Sequence, residues 1–245
     1  MYNVCYLFIL FLMYAFLGWV MEVINAYIQH KRFINRGFLI GPYCPIYGIG
    51  MLLIINLLKN YMESYVVLFI LAMVICMAVE YLTSLVMEWL FNARWWDYSN
   101  RKFNINGRIC LETAIPFGLG GMLIMYVVNP FLTGILDKGS EKLIVILGII
   151  LMVIFFTDLV VSFFVILKFR KVGVENFKDD TEEMNKKVRD YLMSHSYLTK
   201  RIVESFPSAK LRVEKFKKLY EKRKKKIMKN KYLGYIYLMI LLEEL

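Results

Sequence analysis

The chain has 245 residues, of which 59% are hydrophobic, 16% aromatic and only 21% charged, with a formal net charge of +11. Soluble domains carry about 45–50% apolar residues, and here the excess is gathered into long runs, which excludes an ordinary soluble fold and indicates an all-α, polytopic membrane helix bundle. Residues 168–245 hold 21 of the 31 Lys and Arg but 11 of the 20 Asp and Glu, so nearly all the positive charge lies in the last third.

The first apolar run, Val4–Ile28, contains no charged side chain before Glu22. It lacks the basic start and short apolar stretch of a signal peptide, so it is expected to remain as a spanning helix. A second run, about Ile46–Leu58, follows Gly41-Pro42 and Pro45 and is short. The third is Tyr65–Leu90, the fourth about Ile115–Leu136 and the fifth Leu143–Leu167. Lys31, Arg32 and Arg36 follow the first run, and Arg94, Arg101, Lys102 and Arg108 follow the third. The segments 59–64 and 137–142 are balanced in charge, whereas the segment after 167 is basic. This alternation predicts about five transmembrane helices with the N-terminus outside and the C-terminus cytoplasmic. A re-entrant second run would break the alternation. Residues 1–167 are therefore expected to form a transmembrane bundle, and 168–245 a basic cytoplasmic helical tail at the inner face of the plasma membrane.

In the tail, Asp180 and Glu183 read as a helix start, followed by Met184, Val188 and Tyr191. Leu198, Ile202 and Phe206 mark a second helix ended by Pro207, and Ala209, Val213, Phe216, Tyr220 and Ile227 a third with lysines opposite. The run Tyr232–Leu242 is too short to span. The expected partners are membrane lipids and further copies of the chain. Nucleic acid is not expected, because the recognition motifs are missing.

Carboxylates inside spans are expensive and functional by default. Glu22, Glu80, Glu88 and Asp158 all fall toward the cytoplasmic ends of their runs, with Glu80, Ser84, Met87 and Glu88 on one stripe. Two loops open on that side. One carries Arg36, Gly37, Gly41, Pro42, Cys44, Pro45, Tyr47 and Gly48, an irregular backbone that must be buried or line a wet cavity. The other carries Trp95, Trp96, Asp97, Tyr98, Ser99, Asn104 and Arg108. The arginines either neutralise the acids in structural ion pairs or hold an anionic group beside a polar site. Cys5 and Cys76 are expected in the core. No CxxC pair exists, His30 and His195 are the only histidines, and no zinc template fits. No cofactor is evident, although the acids suggest a divalent cation. No Gly-Lys dipeptide, GxSxG or HExxH occurs, which excludes a P-loop ATPase, a nucleophile-elbow hydrolase and a zincin in this chain.

Gly18-Trp19-Val20-Met21-Glu22, Arg36 through Gly48, Glu80 to Glu88, Trp95 to Ser99 and Asn104 to Leu111 resemble the bacterial family labelled Putative ABC-transporter type IV, the CmpB-like membrane proteins. The resemblance covers roughly residues 6–165, and Ser196 to Pro207 is similar to a short downstream motif. It implies a multi-pass membrane protein of permease type, without its own nucleotide-binding domain, that works with a separate ATPase. Three readings stand: a transport subunit, a membrane enzyme acting on a lipid or isoprenoid phosphate, and a scaffold whose acids are merely paired.

Overall fold

A computed structural model describes residues 1–91, 93–94, 96–175, 197–205 and 210–211. Trp95, the expected tail helix from Asp180, most of the third tail helix and the Tyr232–Leu242 run lie outside the described residues. The helices are α1 (Tyr2–His30), α2 (Pro45–Leu58), α3 (Tyr65–Phe91), α4 (Leu111–Leu123), α5 (Asn129–Leu136), α6 (Glu141–Glu175) and α7 (Tyr197–Ser205). A π-helical turn, Ile124–Val128, joins α4 to α5 and makes one continuous rod. The short strands are β1 (Ala93–Arg94), β2 (Asn104–Ile105), β3 (Ile109–Cys110) and β4 (Lys210–Leu211). β2 pairs antiparallel with β3, and β1 with β4.

Four helical stretches are long and apolar enough to cross a membrane: Tyr2–His30, Tyr65–Leu90, Leu111–Leu136 and Glu141–Val165. Most of their surface is not covered by protein, and their outward leucines, valines and phenylalanines would face lipid. The expected second span is different. α2 has 14 residues, about 21 Å at 1.5 Å per residue, against about 30 Å of hydrocarbon. It starts partway along α1: the Cys44 amide donates to the Ala15 carbonyl (2.9 Å), and Gly18 lies against the Tyr47 ring. Residues 31–44 therefore turn back and run beside the C-terminal half of α1 before α2 begins. Pro45 opens α2, where its missing N–H has no helical partner to lose.

α1 packs against α2 and α6, and α3 against α2 and α4. One end of the bundle is apolar. There Cys5, Ile9, Leu10 and Tyr14 of α1 meet Leu132 and Leu136 of α5 and Ile144 of α6. Beside them Ile54 and Leu58 meet Leu68, Ala72, Cys76 and Met125. Small residues allow the close approaches: a Cβ on Gly121 would lie 2.5 Å from the Ala72 Cβ, and one on Gly148 2.5 Å from that of Cys5. The polar residues collect at the other end.

Two boundaries shift. α6 continues without a break through residue 167 to Glu175, and α7 packs back on α6. The helix expected from Ala209 onward does not begin there, because Lys210 and Leu211 pair with Arg94 and Ala93 as a strand.

Candidate functional site

The polar end is organised around the four intramembrane acids. Asp158 of α6 accepts four hydrogen bonds, from the Ile40 amide (2.9 Å), the Gly41 amide (2.7 Å), the Tyr43 hydroxyl (2.6 Å) and Ser162 Oγ (2.8 Å). Hydrogen bonds to a charged acceptor are worth about 1.5–3 kcal/mol each, so this carboxylate clamps the re-entrant segment. The segment is bent to meet it. Gly37 has φ +100°, a value that disfavours a side chain, and Tyr43 N–H donates to the Gly41 carbonyl (2.9 Å) across Pro42 in a γ-turn. Leu39 is fully buried in this turn.

Glu22 accepts from the Tyr47 hydroxyl (2.7 Å) and, at a long 3.4 Å, from Arg36 Nε. Gly18 is required here, since a Cβ would sit 2.2 Å from the Tyr47 ring. Gly48 is closed in the same way by Phe11. Arg36 also donates to the Ser205 carbonyl. Cys44 lies buried alongside.

On α3, Glu80, Ser84 and Glu88 are all buried on one face, as the stripe predicts. Arg108 donates to Glu88 (2.6 Å) and Ser84 (2.8 Å) and lies 5.8 Å from the centre of the Tyr81 ring. Among the described residues no arginine side chain pairs with Glu80: its Oε1 accepts from Tyr98 (3.1 Å), and Oε2 is buried with no hydrogen-bond partner among them. The Tyr98 phenol is pushed up by burial first, then by the charge of Glu80, with Cys110 and Glu22 adding to it. The carboxylates of α1 and α3 thus act on one hydroxyl.

The hairpin β2–β3 presents Tyr98 and Arg108. Asn106 and Gly107 both take positive φ, and Arg108 N–H donates to the Ile105 carbonyl (3.0 Å), as a type I′ turn requires. Asn104 accepts from Gly107 N–H (3.0 Å), Gly107 accepts from Tyr98 N–H (2.8 Å), and Trp96 donates to the Arg108 carbonyl (2.9 Å). Asn104 is therefore a loop builder. Asp97 is exposed and accepts from the Ser99 amide and hydroxyl. Arg94 is described only by its backbone, in β1. Among the described residues no three His, Cys, Asp or Glu side chains gather closely enough to hold a metal ion.

Sequence reasoning missed Arg201. Its Nη2 donates to the Phe38 carbonyl (2.9 Å), while Nε and Nη1 are buried without partners. Ser205 Oγ donates to the Asn35 carbonyl, and Asn35 in turn accepts from Trp19 Nε1 (2.7 Å) and donates to the Ile40 carbonyl (3.1 Å). α7 therefore holds residues 35–38 through Arg201 and Ser205 while packing on α6.

Long apolar helices, an irregular segment folded in among them and acids buried at one end define a multi-pass helical membrane protein. The model of the family described as "Putative ABC-transporter type IV" matches residues 9–163, and the chain belongs to that family. No curated protein and no solved structure matches it.

Proposed function

We propose that this chain is the membrane-embedded subunit of a transport system and that a separate subunit supplies ATP hydrolysis. It sits in the plasma membrane with its N-terminus outside and its C-terminus in the cytoplasm. Residues 31–44 and α2 together serve as the second of five crossings, and the alternation of basic and neutral loops supports that path. The observation that carries the reading is Glu80: a carboxylate deep in an apolar helix, with one oxygen unpaired, beneath a segment held by hydrogen bonds rather than by a continuous helix. Glu22, Glu88 and Asp158 are each satisfied and serve the structure around it. The docking face for the ATPase is formed by residues 31–44, the 96–110 hairpin region and α7.

The test is purification of the full chain from native membranes in mild detergent. The expected result is a co-purifying subunit with nucleotide-binding motifs, whose ATP hydrolysis falls when Glu80→Gln is introduced. Isolation of the chain alone, with ATP-dependent fluxes unchanged on its deletion, would overturn the reading.

One observation favours a second reading, an enzyme acting on a lipid phosphate. Arg36 and Arg108 already have acceptors, but Arg201 has two buried N–H-bearing nitrogens without one, a donor set suited to a phosphate. A changed phospholipid profile in Arg201→Ala, with the protein still folded, would select this reading.

A further inference from the structure

Of the four intramembrane acids, three are answered. Asp158 has four donors, Glu88 has the Arg108 guanidinium, and Glu22 has Tyr47 and Arg36. Glu80 is only 7% exposed, has a single neutral donor in Tyr98, and leaves Oε2 buried and unpartnered. An uncompensated carboxylate in a low-dielectric interior costs several kcal/mol. A group in that position acquires either a counter-ion or a proton.

We propose that Glu80 is a proton-binding site of the membrane bundle, in which a proton from water binds Oε2 and converts the carboxylate to a neutral carboxylic acid. The inference goes beyond the transport reading and does not depend on it.

The surroundings select a proton over other cations. Among the described residues no third carboxylate, thiol or imidazole joins Glu80 and Glu22 to complete a metal site, and a divalent ion needs about six oxygens. An organic ammonium needs space that a 7% exposed side chain does not offer. The neighbouring groups are each accounted for. From α1, Glu22 is held by Arg36 and Tyr47. Cys44 is a buried thiol, and Tyr47 directs its hydroxyl to Glu22. From the loop after α3, Tyr98 keeps its proton and donates it in a hydrogen bond to Oε1. The Cys110 thiol lies within 3.6 Å of Thr113 Oγ1. On α3 itself, Glu88 is closed by Arg108, and Cys76 is buried one turn before Glu80. From α6, Asp158 is turned into its own four donors. Oε2 of Glu80 is thus the open proton acceptor of this cluster. Tyr98 also marks the route, because it belongs to a loop whose adjacent residues Asp97 and Ser99 are exposed to water.

The experiment is infrared titration of the full-length protein in lipid nanodiscs, following the carbonyl band of neutral carboxylic acid in the neutral pH range. The band should be present in the wild type, lost in Glu80→Gln and retained in Glu22→Gln. It should strengthen in Tyr98→Phe, because that hydroxyl favours the charged form. If Glu80→Gln does not fold, Glu80→Asp keeps a carboxyl group and should move the band in frequency. Absence of the band in the wild type, or its persistence unchanged in the Glu80 variants, overturns the proposal. So does its removal at constant pH by Na⁺, K⁺, Mg²⁺ or tetramethylammonium, which would assign the site to that cation. The ATPase co-purification can fail with this result intact, so the two ideas fall separately.

Discussion

Asp158 and Cys44 show how single side chains govern the re-entrant segment. Replacing Asp158 by Ala leaves the Ile40 and Gly41 amides and two hydroxyls without their acceptor. The expected loss is about 2–4 kcal/mol of stability, read as a lowered thermal midpoint in detergent, with Asp158→Asn retaining part of it. Cys44 gives a labelling prediction. Its thiol is buried, 6% exposed. Maleimide at pH 8 should therefore label Cys44 slowly in the native protein and rapidly after denaturation, as followed by mass spectrometry. The acids themselves were legible in the sequence because a carboxylate stands out in an apolar run. Their pairing was not, since Arg36, Arg94 and Arg108 were equivalent by spacing. Arg201 was hidden because it is one basic residue among the 21 of a basic segment.

At the scale of elements, the apolar runs located the long apolar stretches to within a few residues, because period and length report burial in lipid directly, but not the polar extension of α6 to Glu175. The start of α2 beside Ala15 was not legible, since it depends on a mid-helix carbonyl and on Asp158 far along the chain. The β2–β3 hairpin did carry a local signal, the Asn106-Gly107 pair, which was passed over inside a loop rich in aromatic and charged residues. Helix contacts make a prediction with opposite signs at adjacent positions. A Cβ at Gly121 meets the Ala72 Cβ at 2.5 Å, whereas at Gly120 nothing lies within 4 Å. Gly121→Ala should destabilise by about 1–3 kcal/mol through overpacking. Gly120→Ala should be neutral or stabilising by up to about 1 kcal/mol, because alanine loses less backbone entropy in a helix. Unfolding of the two variants side by side in one detergent checks both signs.

Across the whole molecule, the apolar end supplies the packing and the polar end supplies the specificity. Its parts come from α1, the re-entrant segment, α3, the β2–β3 hairpin, α6 and α7. The downstream motif Ser196 to Pro207 was noticed, but its partners were not, because nothing local says that α7 returns to residues 35–38. The contact predicts a latch. Arg36 is bound to Glu22 and to the Ser205 carbonyl, so the peptide bond after it should resist trypsin. The Arg201→Ala/Ser205→Ala pair removes the donors to Phe38 and Asn35. Cleavage at Arg36 should then accelerate by about tenfold, which corresponds to about 1.4 kcal/mol less cost of local opening; gel or mass analysis of timed digests reads it. Unchanged cleavage would show that α7 does not hold the segment down.

The clamp on the re-entrant segment has a consequence for the order of synthesis. Ile40 and its acceptor Asp158 are 118 positions apart. When residues 31–44 leave the ribosome, the carboxylate that receives their amides has not yet been made, and α2 is too short to hold itself across the bilayer. The nascent chain must therefore keep this stretch at the wet surface, or shielded by the insertion machinery, until α6 arrives. A chain that stalls before residue 158 therefore lacks the carboxylate that receives the Ile40 and Gly41 amides.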